Sequence, residues 1–293
     1  MLWGVWMGLI EIGNDELRVA VSPLGAEMQS IVTNDGQSWL WDGDPAFWAG
    51  RSPVLFPMVG KAPDDHISIG GQRFPMGQHG FARRSQFELV EQGADFCVFA
   101  LRSSLSSRTV YPFDFTLSLE HRLVGRAVQV TATVQNSGQG VMPFGIGFHP
   151  AFVWPLPGCA GQSHSVTLDN GREPALMRLS GGLVRPEKLA SPFVEGRLVL
   201  DHDLFASDAL LFPNGAGAGL RYGTADKAIH FTWENLPNLA LWSKPGAPFI
   251  CLEPWHGTAA EVGGSDDLAQ RPYGEVLGPG ASGMYRFKAE LVG

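Results

Sequence analysis

The stretch Phe113-Asp114-Phe115-Thr116-Leu117-Ser118-Leu119, followed after Leu123-Val124-Gly125-Arg126 by Val128-Gln129-Val130-Thr131-Ala132-Thr133-Val134, decides the fold class. Apolar residues alternate with more polar ones at period two in both halves, the spacing of strands that bury one face. The two runs read as an antiparallel hairpin. Working outward, further strands are expected over residues 17–21, 87–90, 97–101, 165–168, 197–200, 228–233, 239–242, 249–252 and 284–291. No segment carries apolar residues at i, i+3, i+4, i+7 over three turns, and 37 glycines with 21 prolines punctuate the chain as turns do. The expected fold is all-β, a large antiparallel β-sandwich with little helix.

With 44% hydrophobic and 17% charged side chains, the 293 residues have the composition of a globular protein with a sizeable core. No linker-like stretch divides them, so residues 1–293 are read as one domain. A formal net charge of -8 and scattered arginines argue against nucleic acid, whose phosphates need a basic face. A small-molecule ligand fits better. Cys97, Cys159 and Cys251 are odd in number, far apart and form no CxxC pair, which fits a reducing compartment and makes the cytoplasm the expected location. The apolar start lacks a basic n-region, a small-residue cleavage site and the length to span a bilayer, so no membrane partner is expected. Met7 precedes Gly-Leu-Ile-Glu-Ile, a start that would serve as well as Met1, and residues 1–11 are set aside as a candidate extension.

Three residues carry the chemistry: His79 in Gln78-His79-Gly80-Phe81-Ala82-Arg83, His149 in Gly147-Phe148-His149-Pro150-Ala151-Phe152, and Glu253 in Cys251-Leu252-Glu253-Pro254-Trp255. Imidazole and carboxylate exchange protons most readily near neutral pH. Gly145 and Gly147 before His149 let a ligand approach the backbone, and Pro150 biases His149 toward an extended conformation. Glu253 follows the apolar run Phe249-Ile250-Cys251-Leu252, so its carboxyl is expected at a strand end, partly desolvated, with a raised pKa. Singly, each residue has a structural reading too: a core histidine bonded to a carbonyl, a glutamate paired with an arginine. Other chemistries lack their motifs. There is no HExxH, CxxC pair or EF-hand loop for a metal, Asp64-Asp65-His66 reads as a solvated turn, and neither a P-loop nor GxGxxG is present, so no metal or other cofactor is expected. GxSxG is absent, and Cys97 and Cys251 read as core packing.

Four sequence words in order add a resemblance: Arg51-Ser52-Pro53-Val54-Leu55-Phe56-Pro57, His79-Gly80-Phe81-Ala82-Arg83, Pro143-Phe144-Gly145-Ile146-Gly147-Phe148-His149-Pro150-Ala151-Phe152 and Glu253-Pro254-Trp255. From about Ile12 to the C-terminus the chain resembles the aldose 1-epimerase (galactose mutarotase) family, and within it the LacX-like branch, which shares the HGFAR-type block with hexose-6-phosphate mutarotases. The resemblance implies a β-sandwich with an open groove and a reaction free of metal and cofactor that interconverts the α and β anomers of a sugar. It implies Glu253 as general base and His149 as general acid. His79 and Arg51 would hold the substrate, and an aspartate, Asp208 with Asp203 as rival, would accept bonds from sugar hydroxyls. Of the tryptophans 41, 48, 242 and 255, Trp255 is taken as the stacking platform by its adjacency to Glu253. Arg83, with Lys61, raises the further expectation of a pocket for a phosphate or sulfonate at C6, and neutral and anionic hexoses both stay open.

The competing reading is a non-catalytic carbohydrate-binding or sugar-sensing sandwich, since fold does not dictate function. An acid and a base flanking one position speak for the enzyme. A glycoside hydrolase would call for two carboxylates, and Glu253 has no evident partner of that kind. The substrate's identity and the choice between monomer and homodimer stay open.

Overall fold

A computed structural model describes residues 8–293. The question of Met1 or Met7 as the start lies outside the described residues. Ile10 and Glu11, set aside with the extension, belong to the fold: strand Ile10–Gly13 pairs with Leu17–Ser22.

The opening hairpin forms as the alternation predicts. Phe115–Val124 pairs with Ala127–Asn136 along its whole length, turning through Gly125 and Arg126. Gly125 has φ +56°, a conformation that tight hairpin turns reserve for glycine or asparagine. Phe113 is a correction, because the strand begins at Phe115. The hairpin sits inside a nine-stranded sheet, whose order runs from Arg197–Val199 through Ser165–Leu168, Gly219–Gly223, Ala228–Glu234 and Ser282–Val292. It continues through the hairpin to Phe96–Arg102 and Glu88–Gln92. A second, six-stranded sheet is built on Phe249–His256, flanked by Asn238–Trp242 and Leu210–Pro213 on one side and by Ile146–Phe148, Val54–Leu55 and Ala151–Val153 on the other. Every ladder in both sheets is antiparallel. Among the described residues, α-helix is confined to the single turn Leu105–Arg108, and no helix is long and apolar enough to cross a membrane. The fold is thus the large antiparallel β-sandwich.

Between the sheets lies a hydrophobic core drawn from Ile12 to Leu291. Phe148 of the smaller sheet meets Phe287 of the larger with ring centroids 4.9 Å apart, and Phe152 meets Phe231 at 5.9 Å. Period two then assigns the faces of the central strand. Ile250 and Leu252 point into this core, while Phe249, Cys251, Glu253 and Trp255 point out of the sandwich. The same alternation turns Leu239 and Leu241 inward and Ala240 and Trp242 outward on the neighbouring strand. The outward face of the six-stranded sheet is therefore the floor of the site.

Candidate active site

Glu253 does not sit where a strand ends, as the sequence suggests. Strand Phe249–His256 runs through it, with Ala240 opposite on one side. On its other side the ladder is interrupted: Gly147 pairs with Trp255 and Ile146 with His256, whereas Ala151 pairs with Cys251. His149 and Pro150 fall in the gap, opposite Leu252-Glu253-Pro254, and the Leu252 N–H donates to the Pro150 carbonyl at 3.1 Å. The gap tolerates Pro254, which has no N–H to give, and it aims the His149 ring at the carboxylate.

His149 Nε2 stands 3.1 Å from Glu253 Oε2. The contact lacks hydrogen-bond directionality, and neither Glu253 Oε2 nor His149 Nδ1 has a hydrogen-bond partner among the described residues. Glu253 is 1% exposed and His149 7%. Burial disfavours both charges. It lifts the Glu253 carboxyl well above the usual carboxylate range, with Asp208 adding to the rise, and it lowers His149 to about 3, helped by the positive field of Arg83. Burial thus favours the uncharged form of each group, a protonated carboxyl on Glu253 and a neutral imidazole on His149.

His79 completes the trio, its ring perpendicular to that of His149 with centroids 5.7 Å apart. It adopts a left-handed φ of +64° and is locked from both sides of Gly60: its N–H donates to the Gly60 carbonyl, and its Nδ1 accepts from the Gly60 N–H at 3.1 Å. That acceptor role leaves the ring proton on Nε2, to which the Gln78 amide group at 3.2 Å can answer only by turning its oxygen toward the ring. Burial and the neighbouring cations hold His79 well below its ordinary pKa, so the ring is a neutral donor. The next residue, Gly80, is irreplaceable in this turn, because a Cβ would meet the Phe56 carbonyl oxygen at 2.2 Å and its φ is +70°.

Above the trio opens a cavity of about 340 Å³, lined by His79, His149, Glu253, Arg83, Asp208 and Trp255 among others. Asp208 reaches it from an exposed loop at φ +71°, held by Arg178, whose Nη1 donates to the Asp208 carbonyl at 3.1 Å. Asp203 does not line it. Arg83 donates through Nη2 to the Gln78 carbonyl, its Nε is buried without a partner among the described residues, and burial together with Arg84 lowers it to about 10. Lys61 does not line the cavity, although its side chain lies under Gly182, which does. Arg51 is likewise outside the wall: its Nη1 donates to Gln29 at 2.8 Å and its guanidinium lies over Gly43.

Two tryptophans that adjacency could not single out, Trp48 and Trp242, line the cavity with Trp255. Trp48 lies over the His149 ring with centroids 4.9 Å apart and planes tilted by 31°, and Trp242 meets both edge-on, at 5.5 and 5.8 Å. Only the strand alternation around Trp242 carries a signal for this. The glycines before His149 also serve a different end from the one their freedom suggests. A Cβ on Gly147 would come within 2.4 Å of Trp255 Cδ1, and one on Gly145 within 3.2 Å of the Val59 nitrogen, so the protein's own groups occupy the space.

Comparisons with known proteins place the chain in a family. A model of the aldose 1-epimerase family matches residues 8–176. Protein LacX of Lactococcus lactis subsp. lactis, in plasmid and chromosomal forms, is 30% identical over 278 residues, covering 90% of this chain and 92% of that protein. Among solved structures, a galactose mutarotase related enzyme from Lactobacillus acidophilus superposes with TM-score 0.91 at 26% identity over 97% of both chains. A galactose mutarotase-like protein from Lactobacillus casei ATCC 334 superposes with TM-score 0.90 at 29% identity, covering 97% of this chain and all (100%) of that one. The chain belongs to the aldose 1-epimerase family of isomerases.

Proposed function

We propose that the protein is a mutarotase that interconverts the α and β anomers of a hexose by opening and closing the ring. The observation that carries this reading is the buried His149–Glu253 pair at 3.1 Å, open to a cavity of about 340 Å³. With the proton on His149, Glu253 takes the proton of the anomeric hydroxyl while His149 protonates the ring oxygen. The C1–O5 bond breaks and leaves an open-chain aldehyde. Glu253 now carries a proton and His149 none, which is the arrangement burial favours in the empty site. After rotation about C1–C2 the transfers reverse and the ring closes with C1 inverted. Proton count is conserved throughout, so no external acid or base enters the cycle.

The other lining groups take supporting parts. The Nε2–H of His79 suits the ring oxygen, Asp208 suits a pair of hydroxyls, and Trp48, Trp242 and Trp255 offer apolar walls for the sugar's C–H faces. Arg83 has no carboxylate within ion-pairing distance among the described residues, which favours a hexose with an anionic group at C6 over a neutral one.

The test is anomer exchange by saturation-transfer NMR on free hexoses, their 6-phosphates and a 6-sulfonated hexose. We expect one class to exchange faster with the wild-type chain, and Glu253→Gln to lower the rate by about 10²–10⁴ while sugar still binds. Binding of a sugar without acceleration of any would sink the enzyme and leave a sugar-binding protein.

A further inference from the structure

Cys251 stands beside the acid–base pair with no part in the reaction above. It precedes Glu253 by two residues in the same strand and so shares its face of the sheet. Its Sγ, a ring nitrogen of His149 and a carboxylate oxygen of Glu253 all lie within 4.8 Å of one another, and all three residues are buried. Thiolate, imidazole and carboxylate are the three ligand types that zinc prefers, at about 2.0–2.3 Å, which puts ligand atoms of a tetrahedral ion roughly 3.3–3.8 Å apart. Closing the set by about 1 Å at its widest would meet that geometry. His149 and Glu253 line the cavity, so a fourth position is open on that side. Two anionic ligands match a dication and offset the opposing field of Arg83.

We propose that His149, Cys251 and Glu253 form an inhibitory site for a thiophilic divalent cation such as Zn²⁺ or Cd²⁺. Binding makes metal–sulfur, metal–nitrogen and metal–oxygen bonds. It breaks the Cys251 S–H bond and, where Glu253 is protonated, its O–H bond, so each ligand proton passes to solvent and nothing is oxidised or reduced. The ion occupies the acid and the base together and competes with the sugar. Inhibition rests on the mutarotase reading, whereas metal binding does not.

The experiment titrates the chelator-treated full chain with Cd²⁺, following the thiolate-to-cadmium charge-transfer absorption in the ultraviolet, and in parallel measures anomer exchange with Zn²⁺ added. The expected result is one cadmium per chain with the absorption, and a rise in the apparent KM for sugar with zinc. Cys251→Ala should lose the absorption and raise the half-inhibiting zinc concentration about tenfold or more, with metal-free exchange unchanged. Cys251→Ser, which keeps the side chain's shape, serves if alanine impairs folding. Absence of the absorption in the wild-type chain, or its persistence in both variants through Cys97 or Cys159, overturns the proposal. So does zinc inhibition that neither variant shifts. A Cys251-dependent absorption in a chain that accelerates no sugar would keep the metal site and reject the mutarotase.

Discussion

At the scale of the residue, the site depends on two groups whose pKa values burial has moved in opposite directions. A free histidine titrates at 6.5 and a free glutamate near 4.5, yet here His149 falls to about 3 and Glu253 rises well above its usual range. His149 therefore stays neutral through the pH at which an exposed histidine would titrate. The expected kcat/KM profile carries no acid limb from His149 at pH 6.5, and a pH series on the responsive sugar checks it; a loss of activity setting in below 6.5 would mean that His149 is hydrated and ordinary. Trp48 is the shield, because its ring covers His149 at 4.9 Å. Removing it as Trp48→Ala should rehydrate the imidazole, bring the acid limb up toward 6.5 and lower the exchange rate. The residue types of this chemistry were legible in the sequence, as His149, Glu253 and His79 stand in compact words. The shield was not, since nothing adjacent to Trp48 ties it to His149 a hundred positions away.

At the scale of the element, one long strand receives two short ones and leaves His149 and Pro150 in the gap between them. A sequence reader sees Glu253-Pro254 and infers a strand end, because proline cannot donate to a ladder. The interruption is real, but it lies in the neighbouring strands, and no one-dimensional pattern distinguishes the two cases. Gly147 tests the arrangement. It pairs with Trp255, and a Cβ there would sit 2.4 Å from Trp255 Cδ1. Gly147→Ala should cost about 1–3 kcal/mol in urea denaturation, the usual penalty of overpacking. It should also raise KM more than it lowers kcat, since the displaced tryptophan walls the cavity while the acid–base pair stays on its strand. Gly140→Ala is the control, because a Cβ there meets nothing within 4 Å. Equal losses in both variants would reject the role given to Trp255.

At the scale of the whole molecule, the sandwich shape followed from alternation and turn spacing, whereas the pairing order of the sheets did not, because strands distant in sequence are neighbours in space. Ala127–Asn136 pairs with Ser282–Val292, and Val54–Leu55 with Ile146–Phe148. Folding this way also inters histidines in neutral form. His79 and His149 lie under the cavity, and His121 is buried elsewhere with its Nε2 on the Ala26 carbonyl at 2.9 Å and its pKa lowered to about 4. The sign of the consequence is fixed. Below pH 6.5 the unfolded chain binds protons at these residues that the folded chain refuses, so acidification favours unfolding. Glu253 acts in reverse, because between 4.5 and its raised value the folded chain holds a proton that the unfolded chain has lost. Between about pH 6 and 4.5 the unfolded state thus binds more protons at these histidines than the folded state retains at Glu253, and stability should fall as the pH falls. His164 and His256 are shifted downward too and add to the slope. Urea denaturation at successive pH values measures it, and His121→Asn, remote from the cavity, should reduce it by about one proton's share, 1.4 kcal/mol per unit, without altering the exchange rate at neutral pH. A stability flat over that window would mean that these histidines charge inside the folded protein, and the neutral imidazole assigned to His149 would fall with it.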